Sequence, residues 1–317
     1  MNTTNNKAKN KTLQSILALT AFIFLATGCT SNKNDLGSEG NPIKLHFVPS
    51  VDAKVIENNS KAFKDYLEKT TGYKFEVTIP QSYVAVVEAF GTKRADIAAM
   101  NSAGYLLANE KYGAEARMTV IRHGFSTYSA MFVAKKDGPI KTIEDLAGKK
   151  IAFVDPISTS GYILPLKMLK DKKIEPKETV FALKHDNVIS MVYQGQVDGG
   201  AAFFSPPSKD EKGASVIEDA RRLVKTQYPD VEAKVAIIGM SEDIPNDPFI
   251  FRKDMPEEMK TKIIDAMMKF VETEDGKAAF KAIYGVTGLK LATDADYNPM
   301  REMLKTVGKS AEEIMKK

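Results

Sequence analysis

Three consecutive hydroxyl residues and a glycine, Ser158-Thr159-Ser160-Gly161, follow an apolar run, Ile151-Ala152-Phe153-Val154, and the loop Asp155-Pro156-Ile157. A buried strand that runs through a proline loop into a helix start leaves the first backbone N–H groups of that helix without internal acceptors. The helix dipole adds positive potential at the same place, so its natural occupant is an anion. Ser158, Thr159 and Ser160 would add neutral donors, and Gly161 would let an oxyanion approach the backbone closely. The terminus alone is worth up to about 2 kcal/mol, whereas micromolar binding needs about 8 kcal/mol. Charge-assisted hydrogen bonds of about 1.5–3 kcal/mol each must supply the rest, so several donors have to converge on one ligand. Taken alone, an STSG reads as a serine-capped helix with a polar first turn; the surrounding residues change that weighting.

No other constellation in the chain competes for chemistry. His46 and His123 lie far apart beside strands and read as structural residues. Neither HExxH, CxxC nor an EF-hand loop is present, so neither a metal nor a cofactor is expected. The glycines near 138 and 148 do not make a P-loop. No serine has a histidine and aspartate at a spacing that suggests a triad, which weakens the reading of an exported hydrolase. The methionines at 255, 259, 267 and 268 fall mostly at helical spacing and read as core filler.

The elements that must position the hydroxyl segment begin after a leader. Lys7, Lys9 and Lys11 precede an apolar run over 13–27, which is shorter than the roughly 20 residues of a spanning helix and reads as a secretory signal. It ends in Ala26-Thr27-Gly28-Cys29, which resembles a bacterial lipobox. Cys29 is the only cysteine among 317 residues, and acylation of its thiol accounts for both its position and its solitude. Residues 29–41 are polar and glycine-containing and read as a flexible tether. The formal charge of +4 becomes +4 − 3 = +1 without the leader lysines, which argues against a nucleic-acid partner.

Beyond the tether, strand-like and helix-like segments alternate: strands near 43–48, 73–79, 95–100, 118–121 and 128–134, with helices over 53–69 and 82–90. A second block places strands at 150–154, 180–184 and 197–203, with helices from about 160 and over 187–194. The last third turns helical over 256–271, 276–284 and 295–307. Such alternation predicts an α/β fold with mostly parallel sheets flanked by helices. The order predicts a second lobe over 134–244 inserted into a first lobe made of 42–133 and 245–317, with the chain crossing near 131–136 and 240–248.

Set in order along this frame are Ser50-Val51-Asp52, Pro80-Gln81-Ser82-Tyr83, Arg94-Ala95-Asp96-Ile97-Ala98, Tyr128, Asp145-Leu146-Ala147-Gly148-Lys149, the STSG-Tyr162 segment, Gly195-Gln196-Val197-Asp198 and Ile244-Pro245-Asn246-Asp247-Pro248. Together they resemble the phosphate/phosphite/phosphonate-binding proteins of ABC importers, over about residues 43–285. The resemblance implies a two-lobed type II periplasmic-binding-protein clamshell that closes on a phosphorus oxyanion and is read by a membrane permease. It implies donors from Tyr83, Ser158, Thr159, Ser160 and His185, with Tyr128 near the hinge and Gly161, Phe203 and Ser205 completing the site. No bidentate arginine is evident beside the motif. Aminoalkylphosphonate binders of this family carry an acid after the strand near 197–203; here Ala201-Ala202-Phe203-Phe204-Ser205 has none, and Glu242 or Asp243 remains as a possible replacement. The expected protein is a lipid-anchored monomer on the outer face of the membrane. A sensory module for a membrane receptor would use the same fold and site.

Overall fold

A computed structural model describes residues 35–307 apart from residue 211; the leader, Cys29 and the first residues of the tether lie outside the described residues. The first sheet has six strands in the order β13-β4-β12-β3-β1-β2. These are β1 (Ile43–Phe47), β2 (Phe75–Thr78), β3 (Ile97–Ala99), β4 (Glu115–Arg122), β12 (Pro248–Phe251) and β13 (Val286–Leu291). The second has five strands in the order β11-β5-β8-β6-β7: β5 (Thr127–Lys135), β6 (Lys150–Phe153), β7 (Glu178–Phe181), β8 (Gly199–Phe204) and β11 (Val235–Pro245). A small hairpin, β9 (Ser208–Lys209) with β10 (Ser215–Val216), hangs from the second lobe.

Each sheet is mixed rather than mostly parallel. In the first, β1 pairs in parallel with β2 and β3, while β12 and β13 add antiparallel pairings to β3 and β4. In the second, β6 is parallel to β7 and β8, and β5 is antiparallel to both β8 and β11. Two of the antiparallel members, β5 and β12, are the strands by which the chain leaves its two crossings. A strand's own residues say that it is a strand, not which sheet takes it or in which direction.

Helices α1 (Ala53–Thr71), α2 (Tyr83–Gly91) and α3 (Ser102–Tyr112) follow the first three strands, and α4 (Leu164–Asp171) and α5 (His185–Gln194) belong to the second lobe. A single short turn, α6 (Val231–Lys234), leads into β11; α7 (Glu257–Phe270), α8 (Glu274–Tyr284) and α9 (Asn298–Val307) close the chain. The starts obey ordinary capping chemistry: Asp52 accepts from Lys54 N–H, Ser82 from Ala85 N–H and Thr273 from Gly276 N–H. On one face of the first sheet, Phe63 sits 5.0 Å from Phe280 and 5.2 Å from Phe270, ring centre to ring centre. Such aromatic pairs add about 0.5–1.5 kcal/mol each beyond their buried area. Met255, Met259 and Met267 fill the same core.

Two boundaries differ from the sequence expectation. Residues 36–41 are not tether: Leu36 packs half-buried against the first core, and Gly37 accepts from Lys74 N–H while donating to Asn41 C=O, both at 2.8 Å. One leucine in a polar stretch is too weak a signal to reveal this. The first crossing lies at Arg122–Thr127, not near 131–136, because β5 pairs along its whole length with β8 and β11. There the chain makes a tight turn between reciprocally bonded Arg122 and Phe125, with positive φ at His123 (50°) and Gly124 (84°). The second crossing, at Asn246–Asp247, lies beside it. Asn246 is fully buried; its Nδ2 donates to Val120 C=O and Phe125 C=O, and its own carbonyl accepts from Thr119 Oγ1 and Tyr297 Oη.

Candidate functional site

The hydroxyl segment is shaped from behind by Asp155. Its Oδ1 accepts from Ile157 N–H at 2.9 Å and its carbonyl accepts from Ser158 N–H at 2.8 Å. Burial pushes its pKa up, opposed by the backbone amides of Ile157 and Tyr83. Thr159–Ile163 is a wide, π-type turn that passes directly into α4. Proline explains the widening: Pro165 has no N–H to give Gly161 C=O, which takes Val154 N–H instead at 3.1 Å. Ser158 C=O then accepts from both Tyr162 and Ile163. Ser158 Oγ caps the turn by accepting from Gly161 N–H at 3.1 Å.

A cavity of about 50 Å³ lies over this turn, between the lobes. At roughly 10–15 Å³ per water-sized body, it suits a ligand of a few heavy atoms. The first lobe contributes Tyr83, Asn101, Arg122, Asp247 and Tyr284; the second contributes Tyr128, the three hydroxyls, His185, Phe203 and Arg222.

Tyr83 is buried at the first residue of α2, with its phenol hydrogen-bonded towards Ser158; burial and nearby Asp155 hold its pKa well above the ordinary value. Tyr128 is likewise held protonated by burial, then by Asp247, with Ser160 and Thr159 within hydrogen-bonding reach of its phenol. His185 opens α5. Its Nδ1 accepts from Phe203 N–H at 3.3 Å, which leaves the ring proton on Nε2. Burial, reinforced by Arg122, pushes its pKa down to about 3, so at neutral pH the ring is an uncharged donor. Phe203 packs edge-on against that ring at 4.9 Å.

Seven of the nine residues singled out from sequence therefore meet around one cavity: Tyr83, Tyr128, Ser158, Thr159, Ser160, His185 and Phe203. Gly161 and Ser205 do not line it. Gly161 is needed for packing, since a Cβ there would stand 2.3 Å from Val154 Cγ2. Ser205 is buried past the end of β8. Glu242 and Asp243 are exposed and do not line the cavity either; Asp243 faces the hydroxyls of Thr127 and Ser129.

No arginine stands beside the motif in sequence, yet the fold brings two to the cavity from elsewhere in the chain. Arg122 and Arg222 both line the cavity, brought there from β4 and from the short helical turn Ala220–Val224. Arg122 donates to Asp247 Oδ2 at 2.6 Å and to Tyr284 C=O at 3.0 Å, and its guanidinium lies 5.4 Å from the centre of the Tyr128 ring. Burial works against its charge, but the Asp247 carboxylate together with Tyr128 and Tyr284 outweighs this and holds its pKa above the usual value. Both arginines are far from the hydroxyl segment in sequence, and no spacing could have found them. Ser50 and Asp247 were visible as motif members, but not as cavity residues.

The two walls also bond directly. Asn101 Nδ2 donates to Ile157 C=O at 2.7 Å and to Thr159 Oγ1 at 2.9 Å, Ala103 N–H donates to the same Oγ1 at 3.0 Å, and His185 N–H reaches Ser50 C=O at 3.3 Å. Among the described residues no group of three or more His, Cys, Asp or Glu side chains could hold a metal ion, and no helix is long and apolar enough to cross a membrane.

The sequence profile of the family described as "ABC transporter, phosphonate, periplasmic substrate-binding protein" matches residues 45–297. The chain is 25% identical over 248 residues to the phosphonates-binding periplasmic protein of Escherichia coli, covering 76% of this chain and 69% of that one. It is 27% identical over 316 residues to the phosphate-import protein PhnD of Mycolicibacterium smegmatis, covering 92% and 95%. Among solved structures, PhnD1 of Prochlorococcus marinus in complex with methylphosphonate superposes with a TM-score of 0.72 at 16% identity, over 84% of this chain and 98% of that one.

Proposed function

The chain belongs to the family of periplasmic substrate-binding proteins of ABC phosphonate transporters, and from that premise we propose that its cleft captures a small tetrahedral phosphorus oxyanion. One observation carries the reading. The donors Tyr83, Tyr128, Ser158, Thr159, Ser160 and His185 converge with the Arg122 guanidinium on a cavity of about 50 Å³. Phenol, hydroxyl and neutral imidazole N–H groups suit the oxygens of a phosphate, phosphite or small phosphonate, and the helical turn behind them adds backbone amides. The names of the Escherichia coli and Mycolicibacterium smegmatis relatives point to the same ligand class.

In this mechanism the ligand bridges walls that belong to different lobes. Tyr83 and Arg122 hold it from one side, the hydroxyl turn and His185 from the other. Binding favours the closed form because only that form offers both sets of donors. The permease then reads the closed shape and accepts the ligand. Calorimetric titration of the purified, ligand-free protein with phosphate, phosphite, methylphosphonate and 2-aminoethylphosphonate tests the reading. Micromolar or tighter binding of at least one is expected; silence with all four from folded protein would remove the phosphorus assignment.

Acylation of Cys29 would tether this monomer to the outer face of the membrane. Incorporation of labelled fatty acid into the wild-type chain, and its loss in Cys29→Ser, tests the anchor.

A further inference from the structure

Three polar atoms of the cavity residues, Asn101 Oδ1, Asp247 Oδ1 and Arg222 Nε, have no hydrogen-bond partner within the chain. Asp247 commits Oδ2 to Arg122, while its Oδ1 is buried and receives no donor; Arg222 Nε is buried with Glu218 Oε2 3.9 Å away, beyond hydrogen-bonding distance. An acceptor lacking a donor and a donor lacking an acceptor, on residues of one small cavity, call for a ligand that carries both kinds of group. Resting on the reading above, we infer that the site takes its tetrahedral oxyanion with a hydroxyl attached. The P–OH donates to Asp247 Oδ1, and the bare oxygens take the hydroxyl turn and the guanidinium side, so Asp247 sets the specificity.

Charge decides what kind of donor Oδ1 receives. Arg122 already balances the Asp247 carboxylate at 2.6 Å, so an ammonium group would meet a neutral pair rather than a free anion. A hydroxyl needs only the lone pair. A bare oxygen placed there would oppose acceptor to acceptor, and sites built to bond a ligand hydroxyl strongly reject analogues that lack it. Sulfate carries no proton at neutral pH. The dianions of phosphite and methylphosphonate also have none, since P–H and P–CH3 are not donors. Phosphate keeps a hydroxyl in both of its neutral-range forms and is the ligand this pattern favours.

The protein groups around Asp247 hold their protonation through the neutral range, which leaves the ligand's own proton as the variable. Tyr83, Tyr128, Tyr284 and Tyr297 are pushed upward by burial, with Asp247 adding to each; Arg122 stays charged and His185 stays neutral.

The test is calorimetric titration of ligand-free protein with phosphate, methylphosphonate and sulfate from about pH 6 to about pH 9. Phosphate affinity should change by less than about tenfold, and methylphosphonate affinity should fall about tenfold per pH unit once its last proton is lost. Sulfate should bind at least about tenfold more weakly than phosphate throughout. Asp247→Asn, whose amide can turn an N–H towards a bare oxygen, should narrow the sulfate gap and flatten the methylphosphonate slope. The wild-type slope decides the matter even where that variant folds poorly. A flat methylphosphonate profile, sulfate equal to phosphate, or a preference for 2-aminoethylphosphonate overturns the hydroxyl reading and leaves oxyanion capture standing. No binding of any phosphorus oxyanion overturns both.

Discussion

Thr159 Oγ1 on one lobe accepts two hydrogen bonds from the other, from Asn101 Nδ2 at 2.9 Å and Ala103 N–H at 3.0 Å. The middle hydroxyl of the site is thus also a latch between the walls. Its lone pairs face the opposite lobe, and its proton remains for the ligand or the Tyr128 phenol.

Thr159→Val keeps the shape and removes the oxygen. Ala103 N–H is then left without an acceptor in the closed form and Asn101 Nδ2 keeps only Ile157 C=O, at about 1–3 kcal/mol. Affinity for the best ligand should fall about 10–100-fold by calorimetry, while Thr159→Ser should stay within about threefold of wild type. A loss in Thr159→Ser with none in Thr159→Val would show that the methyl group, not the oxygen, matters.

Arg122→Met should destabilise the fold by about 3 kcal/mol, because it strands the Asp247 carboxylate beside buried tyrosines. This is the low end for a broken buried pair, as the Asp247 side chain keeps 23% of its surface exposed. Adding Asp247→Leu should recover part of the loss. Urea midpoints of the two variants measure it, and a single variant within about 0.5 kcal/mol of wild type would mean that solvent already screens the pair.

His185 titrates at about 3 in the fold, against about 6.5 in an unfolded chain. The folded value is the lower one, so the unfolded chain takes up a proton first as pH falls. The contribution is therefore complete above about pH 6.5 and drains as pH drops towards 3, at up to about 1.4 kcal/mol per unit. His185→Gln should flatten this acid limb in urea midpoints followed from about pH 7 to about pH 4. Parallel limbs in the two proteins would contradict it.

Gly161→Ala places a Cβ 2.3 Å from Val154 Cγ2 and 2.8 Å from Ser158 Oγ. Overpacking of this kind costs about 1–3 kcal/mol, and Val154→Ala should restore part of the stability. Ser205→Ala is the control: Ser205 does not line the cavity, and its loss should leave affinity within about twofold, a result that a ligand-contacting serine would not give.

Local chemistry was legible in the sequence; long-range pairing was not. The strand–proline–hydroxyl order around Val154-Asp155-Pro156 and the hydroxyls it presents follow from rules that act within a few residues. His185 and Tyr83 were reachable only through the resemblance, since a lone histidine and a lone tyrosine carry no spacing. Helix α3 passed unnoticed despite Asn101 before it and Gly113 after it, because its buried residues go almost all the way round and leave no apolar stripe. Arg122 and Asp247 are 125 positions apart and meet only because β4 and β12 lie side by side. The assignment of β5 to the second sheet failed to appear for the same reason.

The two crossings run side by side and share Asn246, whose amide and carbonyl tie Val120, Phe125, Thr119 and Tyr297 together. A joint built this way turns about one axis and does not unzip, because separating the strands would strand every one of those buried bonds. A ligand held by residues of both lobes would have to wait for that turn. Dissociation therefore has a ceiling set by the joint rather than by the guest: chemically different ligands can leave more slowly than the joint opens, but none can leave faster.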